Sequence, residues 1–207
     1  MSTNRFRTIE PKILYFGTPV ALISSVNEDG GTNLAPISSF WALGWNVVLG
    51  LLNDTKTIEN LRRQNECVVN IPSPDLWEKV ERLASLTGKN PVPDEKADRF
   101  HFENDKFQAA GLTHLPAELV EPTRVAECPV HMEARVIHIQ RMRGAKLESL
   151  GGGTSVEVEI LRVHVDEDLI KGDDHIDPDK WSPLLYNFRH YYRLANEELG
   201  KTFRATS

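Results

Sequence analysis

Two short stretches carry the side chains best suited to holding an anion: NLAPISSF, residues 33–40, and NDTKTIEN, residues 53–60. Each borders an apolar run of strand character, and the second opens a segment with helix-start residues. The first N–H groups of a helix lack intrahelical partners and lie at the positive end of the aligned peptide dipoles, so they suit a phosphate. Thr55 and Thr57 add hydroxyl donors, and Lys56 adds positive charge. Asn33, Ser38, Ser39 and Asn53 add directional hydrogen bonds. The same residue types cap helices and build turns, so spacing alone leaves both roles open. Asp54 cuts both ways, because its carboxylate suits a cap but repels phosphate if it points into the site.

The elements around these stretches read as strands with short helices between them. Val20–Val26 is apolar and β-branched, and Asn27–Thr32 follows as a turn containing Gly30 and Gly31. A second strand returns through Ile37–Leu43, with Pro36 marking an edge or bulged position because it cannot donate to a ladder. Val47–Leu52 completes an antiparallel meander. Ile58 and Leu61 share one face of a short helix, and Glu59, Arg62, Arg63 and Gln64 face water. Cys67–Ile71 resumes the sheet. Ser73 and Pro74 then start a second helix whose packed stripe is Leu76, Val80, Leu83 and Ala84. Gly88–Asp98 is a proline-containing polar excursion, a loop or a lid. Cys128–Ile139 alternates like a strand, and Gly151–Gly153 connects it to a strand in which Val156, Val158 and Ile160 alternate. Many strands with few helices favour one barrel-like domain over residues 1–207, with a peripheral C-terminal segment.

Composition narrows the classes. The 207 residues hold 24 Lys+Arg and 30 Asp+Glu, a formal net charge of -6, so no global positive field attracts nucleic acid or an anionic membrane. No apolar run approaches the roughly 20 residues that span a bilayer. The N-terminal MSTNRFRTIEPK lacks the apolar centre of a secretion signal, so a cytoplasmic protein is expected. Cys67 and Cys128 sit in apolar strand-like contexts and read as free structural thiols. His131 and His138, seven apart, fall on opposite faces by period-two counting, and no zinc motif is present. Asp173, Asp174, His175, Asp177 and Asp179 read as a solvated loop. The terminal YNFRHYYRLANEELGKTFR mixes Tyr186, Phe188, Tyr191 and Tyr192 with Arg189, His190 and Arg193, suited to packing, a dimer contact or cofactor coverage.

The order of PVALISSVNEDGGTNLAPISSF, NDTKTIEN, ECVVNI, KFQAAGLT and AECPVHMEARV resembles the flavin reductase-like family over roughly residues 10–165. The resemblance implies a mainly β fold with some α, an FMN-binding split β-barrel with short peripheral helices. It also implies a homodimer with flavin sites near the interface. Carried onto this chain, it assigns FMN contacts to Asn33–Phe40 and Asn53–Asn60. Ser38 and Ser39 would meet phosphate or a polar flavin edge. Thr55, Lys56 and Thr57 would meet phosphate. Phe40 would line the pocket or pack in the core, and Asn60 would bind FMN or tie its helix to the preceding loop. Trp45 and Asn46 stand where many relatives carry a Pro-Pro pair, which bears on the local turn and the shape of the substrate pocket. The implied activity is oxidation–reduction at the flavin, with NADH or NADPH as donor and a small molecule or protein as acceptor. No acid/base pair or triad is assigned, because the cofactor carries the electron chemistry. The other readings are an FMN-bearing carrier reduced by another protein, and a split-barrel binding protein without activity.

Overall fold

The computed structural model describes residues 5–199. The chain begins with strand β1 (Phe16–Pro19) and continues through β2 (Ala21–Val26), β3 (Thr32–Ile37), β4 (Phe40–Leu43) and β5 (Asn46–Leu52). Helix α1 (Lys56–Arg63) precedes β6 (Glu66–Ile71), and α2 (Trp77–Ala84) follows a 3-10 turn at Pro74–Leu76. After α3 (Lys106–Ala110) come two long strands, β7 (Val130–Met142) and β8 (Gly153–Val165), bracketing α4 (Ala145–Glu148). The hairpin of β9 (Leu184–Asn187) and β10 (His190–Arg193) ends the regular structure. Residues 200–207, the end of the aromatic-basic segment, lie outside the described residues.

Seven strands form one antiparallel sheet in the order β3-β2-β6-β7-β8-β5-β4. All seven contribute side chains to a single apolar cluster, from Ala21 and Ile23 through Leu49 and Val69 to Val158, with Ile37 and Phe40 packed against it. A sheet whose every strand meets one interior is curled around it. A second cluster lies outside the sheet: Val20 and Leu22 meet Val80 and Leu83 of α2, Phe107 of α3 and Leu184 of β9. Strand β2 is therefore buried on both faces, which explains why PVALISSV reads as a continuous apolar run instead of an alternating one.

Two sequence expectations change. The predicted meander places Ile37–Leu43 in one strand between neighbours, whereas the structure breaks it at Ser38–Ser39. β3 and β4 then lie at opposite ends of the hydrogen-bond order. Pro36, in β3, has no N–H to offer a further strand, so β3 is an edge. The histidine expectation also fails. A register shift between Val136 and His138 pairs His138 with Glu157 and Ile139 with Val156. One extra residue restores His138 to the outward face that His131 occupies. In α2, Val80 and Leu83 are buried and Leu76 packs against the second cluster, but Ala84 faces a groove; Ser73 makes no side-chain cap bond.

Both cysteines are free and buried; burial pushes the Cys67 thiol up to about 12, with Glu66 adding to it. Among the described residues, no helix is long and apolar enough to cross a membrane.

Candidate functional site

The site is built where the sheet fails to close. Ser38 and Ser39 bridge its two edges, and the backbone N–H of Gly50 donates to the Ser39 carbonyl at 2.6 Å. Gly50 permits this approach, since a Cβ there would stand 3.0 Å from the Ser39 Cβ. Tyr15 Oη and Ser39 Oγ share a hydrogen bond of 2.6 Å.

Helix α1 supplies the next wall, through Thr57 and its cap Thr55. Thr55 caps it with extended backbone, its Oγ1 accepting from Ile58 N at 3.4 Å and donating to the Leu52 carbonyl at 3.1 Å. Ile58 and Leu61 pack into the barrel cluster, which fixes the helix against the sheet. Its other buried face is polar. Asn33 Nδ2 donates to Thr57 Oγ1 at 3.2 Å, and Asn60 Nδ2 donates to Ser25 Oγ at 3.1 Å and Asn27 Oδ1 at 2.9 Å.

Between these elements runs a continuous groove made of two adjoining depressions of about 370 and 550 Å³. Both share Ala35, Pro36, Leu52, Thr55, Thr57 and Phe100 as walls. One end is aromatic and hydroxylic, with Tyr15, Tyr186, Ser38 and Ser39. The other end holds the cations Lys56, Lys96, Arg99 and Lys106. Asp54 and Glu95 line the same end, and Arg99 pairs with Asp98 at 3.4 Å, so the cations gather here together with carboxylate partners.

Each cation is held differently. Lys56 pairs with Glu28 at 2.5 Å and lies 3.9 Å from Glu59. Lys96 and Lys89, from the Gly88–Asp98 excursion, close on the Asp54 carboxylate at 3.0 and 3.1 Å, and Lys89 also pairs with Glu59. Burial works to raise the Asp54 carboxyl, but the two lysines outweigh it and hold it below its usual range. Asp54 is thus charged and neutralised by partners. Lys106 is only 4% exposed and donates to the Leu34 carbonyl at 3.1 Å. Burial lowers its ammonium to about 8 against an opposing pull from Glu103. Gly88 lets the excursion approach α1: a Cβ there would fall 2.8 Å from Asn33 Oδ1 and 2.9 Å from Lys56 Cγ. Asn33 Oδ1 is buried with no partner.

The nine residues singled out in the sequence therefore separate. Ser38, Ser39, Thr55, Lys56 and Thr57 line the groove. Asn33 and Asn60 stand behind it, their amides hydrogen-bonded to Thr57, Ser25 and Asn27. Asn53 ties to the glycine hairpin, donating to Gly151 O at 3.3 Å and accepting from Thr154 Oγ1 at 2.6 Å. Phe40 packs against the barrel interior. Sequence reading misses Tyr15, the Lys96, Arg99 and Phe100 group and Lys106, which come from three stretches of chain and share no local motif. KFQAAGLT, which Lys106 opens, was the one available signal.

Comparison with known proteins agrees with this architecture. The family described as "Flavin reductase like domain" matches residues 13–195. An uncharacterized protein, YdfE of Bacillus subtilis (strain 168), is 48% identical over 98% of this chain and 96% of its own length. Among solved structures, flavoredoxin of Desulfovibrio vulgaris (Miyazaki F) superposes with a TM-score of 0.77 at 23% identity, covering 98% of this chain and all of that one. Nitrilotriacetate monooxygenase component B from Bacillus cereus gives 0.76 at 19% identity, over 96% of this chain and all of its own. A putative flavin reductase with a split barrel domain from Shewanella frigidimarina gives 0.69 at 20% identity, over 91% and 87%. With its curled seven-stranded sheet, its open edge and this match across nearly its whole length, the chain is a split-barrel member of the flavin reductase-like family.

Proposed function

We propose that the protein is an FMN-dependent oxidoreductase that takes electrons from NADH or NADPH and passes them to a flavin or another acceptor. The observation that carries this reading is the polarity of the groove, with cations and helix α1 at one end and aromatic and hydroxyl groups at the other. A phosphorylated aromatic ring has the same division. The cradle also fits in its detail. Thr57, whose hydroxyl accepts from Asn33, keeps its own proton to donate, and Lys56, Lys96 and Arg99 offer charge. The unpaired Asn33 Oδ1 beside Gly88 suits a hydroxyl of the ligand's sugar-like chain, while Thr55, its proton given to the Leu52 carbonyl, sets the helix start.

Bound there, FMN would supply the two-electron chemistry that the side chains lack. The chain's own residues would bind and orient. Lys56 and Thr57 would hold the phosphate, aided by the N-terminal amides of α1. Ser38 and Ser39 would fix the polar edge of the ring, and Tyr15 and Phe100 would shield it from water. Lys96, positioned by Asp54, would keep positive charge at the rim. Exposed Phe16, Trp41, Leu43 and Trp45 support a second copy of the chain as partner, with residues 1–207 acting as one domain in each. Free buried thiols suit a reducing compartment such as the cytoplasm.

An absorption spectrum of the FMN-loaded protein, before and after anaerobic NADH or NADPH, tests the reading. Loss of the visible flavin band with either donor is expected. A bound flavin that neither donor bleaches, but that a reductase protein does, would replace the enzyme with an electron carrier.

A further inference from the structure

A second cavity, of about 560 Å³, lies between the Pro74–Ala84 helical stretch and the β9–β10 hairpin. Trp77, Tyr191 and Tyr192 present aromatic surface there, and Arg189 and Arg193 present N–H donors. The Trp77 and Tyr191 rings are 6.3 Å apart and tilted by 44°, while Trp77 and Tyr192 stay 46% and 53% exposed. The cavity's nearby carboxylates already have partners. Glu81 accepts from Tyr191 Oη at 2.9 Å, and Asp75 pairs with Arg193 at 3.0 Å. Among the described residues, no carboxylate is paired with Arg189.

The hairpin presents Arg189 at a conformational cost. Phe188 and Arg189 form the two-residue turn between Asn187 and His190, with φ of 45° and 69°. Such turns favour Asn-Gly, because side chains resist the left-handed region. His190 Nδ1 and the Phe188 carbonyl share a hydrogen bond of 2.9 Å, which braces this turn. Tyr191 is also a wall of the flavin groove, so the two cavities abut across one side chain.

We infer that this cleft binds the adenosine diphosphate half of the nicotinamide dinucleotide donor, with the nicotinamide end passing Tyr191 into the groove. Guanidinium forks match phosphate oxygens two at a time, and indole and phenol faces stack on a purine. Arg189 would take the diphosphate, with Arg193 exchanging Asp75 for it, and Trp77 and Tyr192 would take the adenine. The inference rests on the oxidoreductase reading, because that reading supplies the donor.

Calorimetric titration of flavin-free protein with ADP, AMP and adenosine tests the cleft without any redox step. ADP should bind, AMP more weakly, and adenosine without saturation. Arg189→Gly is the informative variant, since glycine suits the left-handed turn and the hairpin should fold at least as well. It should weaken ADP by about tenfold, about 1.4 kcal/mol, while thermal midpoint and FMN affinity stay at wild-type values. Equal binding of ADP and adenosine, or an unchanged ADP affinity in Arg189→Gly, would overturn the inference. If FMN binds and NADH or NADPH bleaches it while ADP ignores the cleft, the oxidoreductase reading survives and this one fails. If FMN does not bind the wild-type chain, the groove reading itself fails.

Discussion

Two buried polar clusters lie against the same sheet and differ in what their groups leave unused. On the outward face of β7 and β8, Glu133 is fully buried, and its oxygens accept from the backbone N–H groups of Glu118 at 2.9 Å and Leu119 at 2.6 Å. His164 Nε2 shares a further bond with it at 2.7 Å. Beside it, Asn70 accepts from Val125 N and donates to the Leu22 carbonyl, both at 2.9 Å, and His131 Nε2 reaches the Val125 carbonyl at 2.8 Å. These bonds pin the 118–125 segment to the sheet. His131 Nδ1 alone lacks a partner there, and burial holds that ring below the usual histidine range, in its neutral form. At the groove, by contrast, Lys106 has one carbonyl for three N–H donors, Asn33 Oδ1 has none, and an open volume adjoins. Both regions would look equally chemical in a residue inventory. Unused hydrogen-bonding capacity beside space marks the site, whereas capacity consumed by backbone marks a fastening.

The sharpest way to break this contrast is Glu133→Ala. Removing one side of a buried, fully bonded carboxylate strands two amides and His164, and should cost about 3–5 kcal/mol in urea unfolding. Folded variant should still bind FMN. A loss well under 1 kcal/mol would mean the segment is not fastened here.

Next in size is Lys106→Met. The ordinary lysine value is 10.5 and burial brings Lys106 to about 8, so between those values the unfolded chain holds more protons than the folded one. Wild-type stability in the flavin-free protein should therefore rise with pH across that window, by up to about 3 kcal/mol. The variant should lose this rise when urea midpoints near neutral pH and near pH 10 are compared. An equally steep rise in the variant would take Lys106 out of the account.

Smallest are Lys56→Ala and Thr57→Ala, each expected to weaken FMN about tenfold, with measurable coupling in the double variant. Thr57→Ala also removes the shorter of the two bonds that Asn33 Nδ2 donates, leaving Ser25 Oγ at 3.5 Å, so some loss of stability should accompany it. Unchanged FMN affinity in both folded variants would sink the phosphate assignment.

Local chemistry explains why some features were readable. Asp54, Thr55 or Thr57 as cap before an Ile58/Leu61 stripe predicts α1, because capping and amphipathicity act within one turn of chain, and the structure selects Thr55. Gly30, with φ of 83°, marks its turn for the same reason. Asp54 shows the limit. Its residue type allowed either a cap or a phosphate-repelling charge, and two lysines some 35 and 42 positions away decided the matter.

By itself, then, the sequence determined the strand-rich class, a short helix carrying Ile58 and Leu61, the free thiols and a net acidity that confines any anion attraction to a local patch. Tertiary structure alone decided that β3 and β4 part at Ser38–Ser39, that a bulge returns His138 to the outward face, and that Lys96, Arg99 and Lys106 line one depression with Thr57. Capping, turn geometry and side-chain alternation act over a few residues and leave a periodic trace. Edge separation, bulges and convergent charge depend on contacts between distant segments, and those leave none.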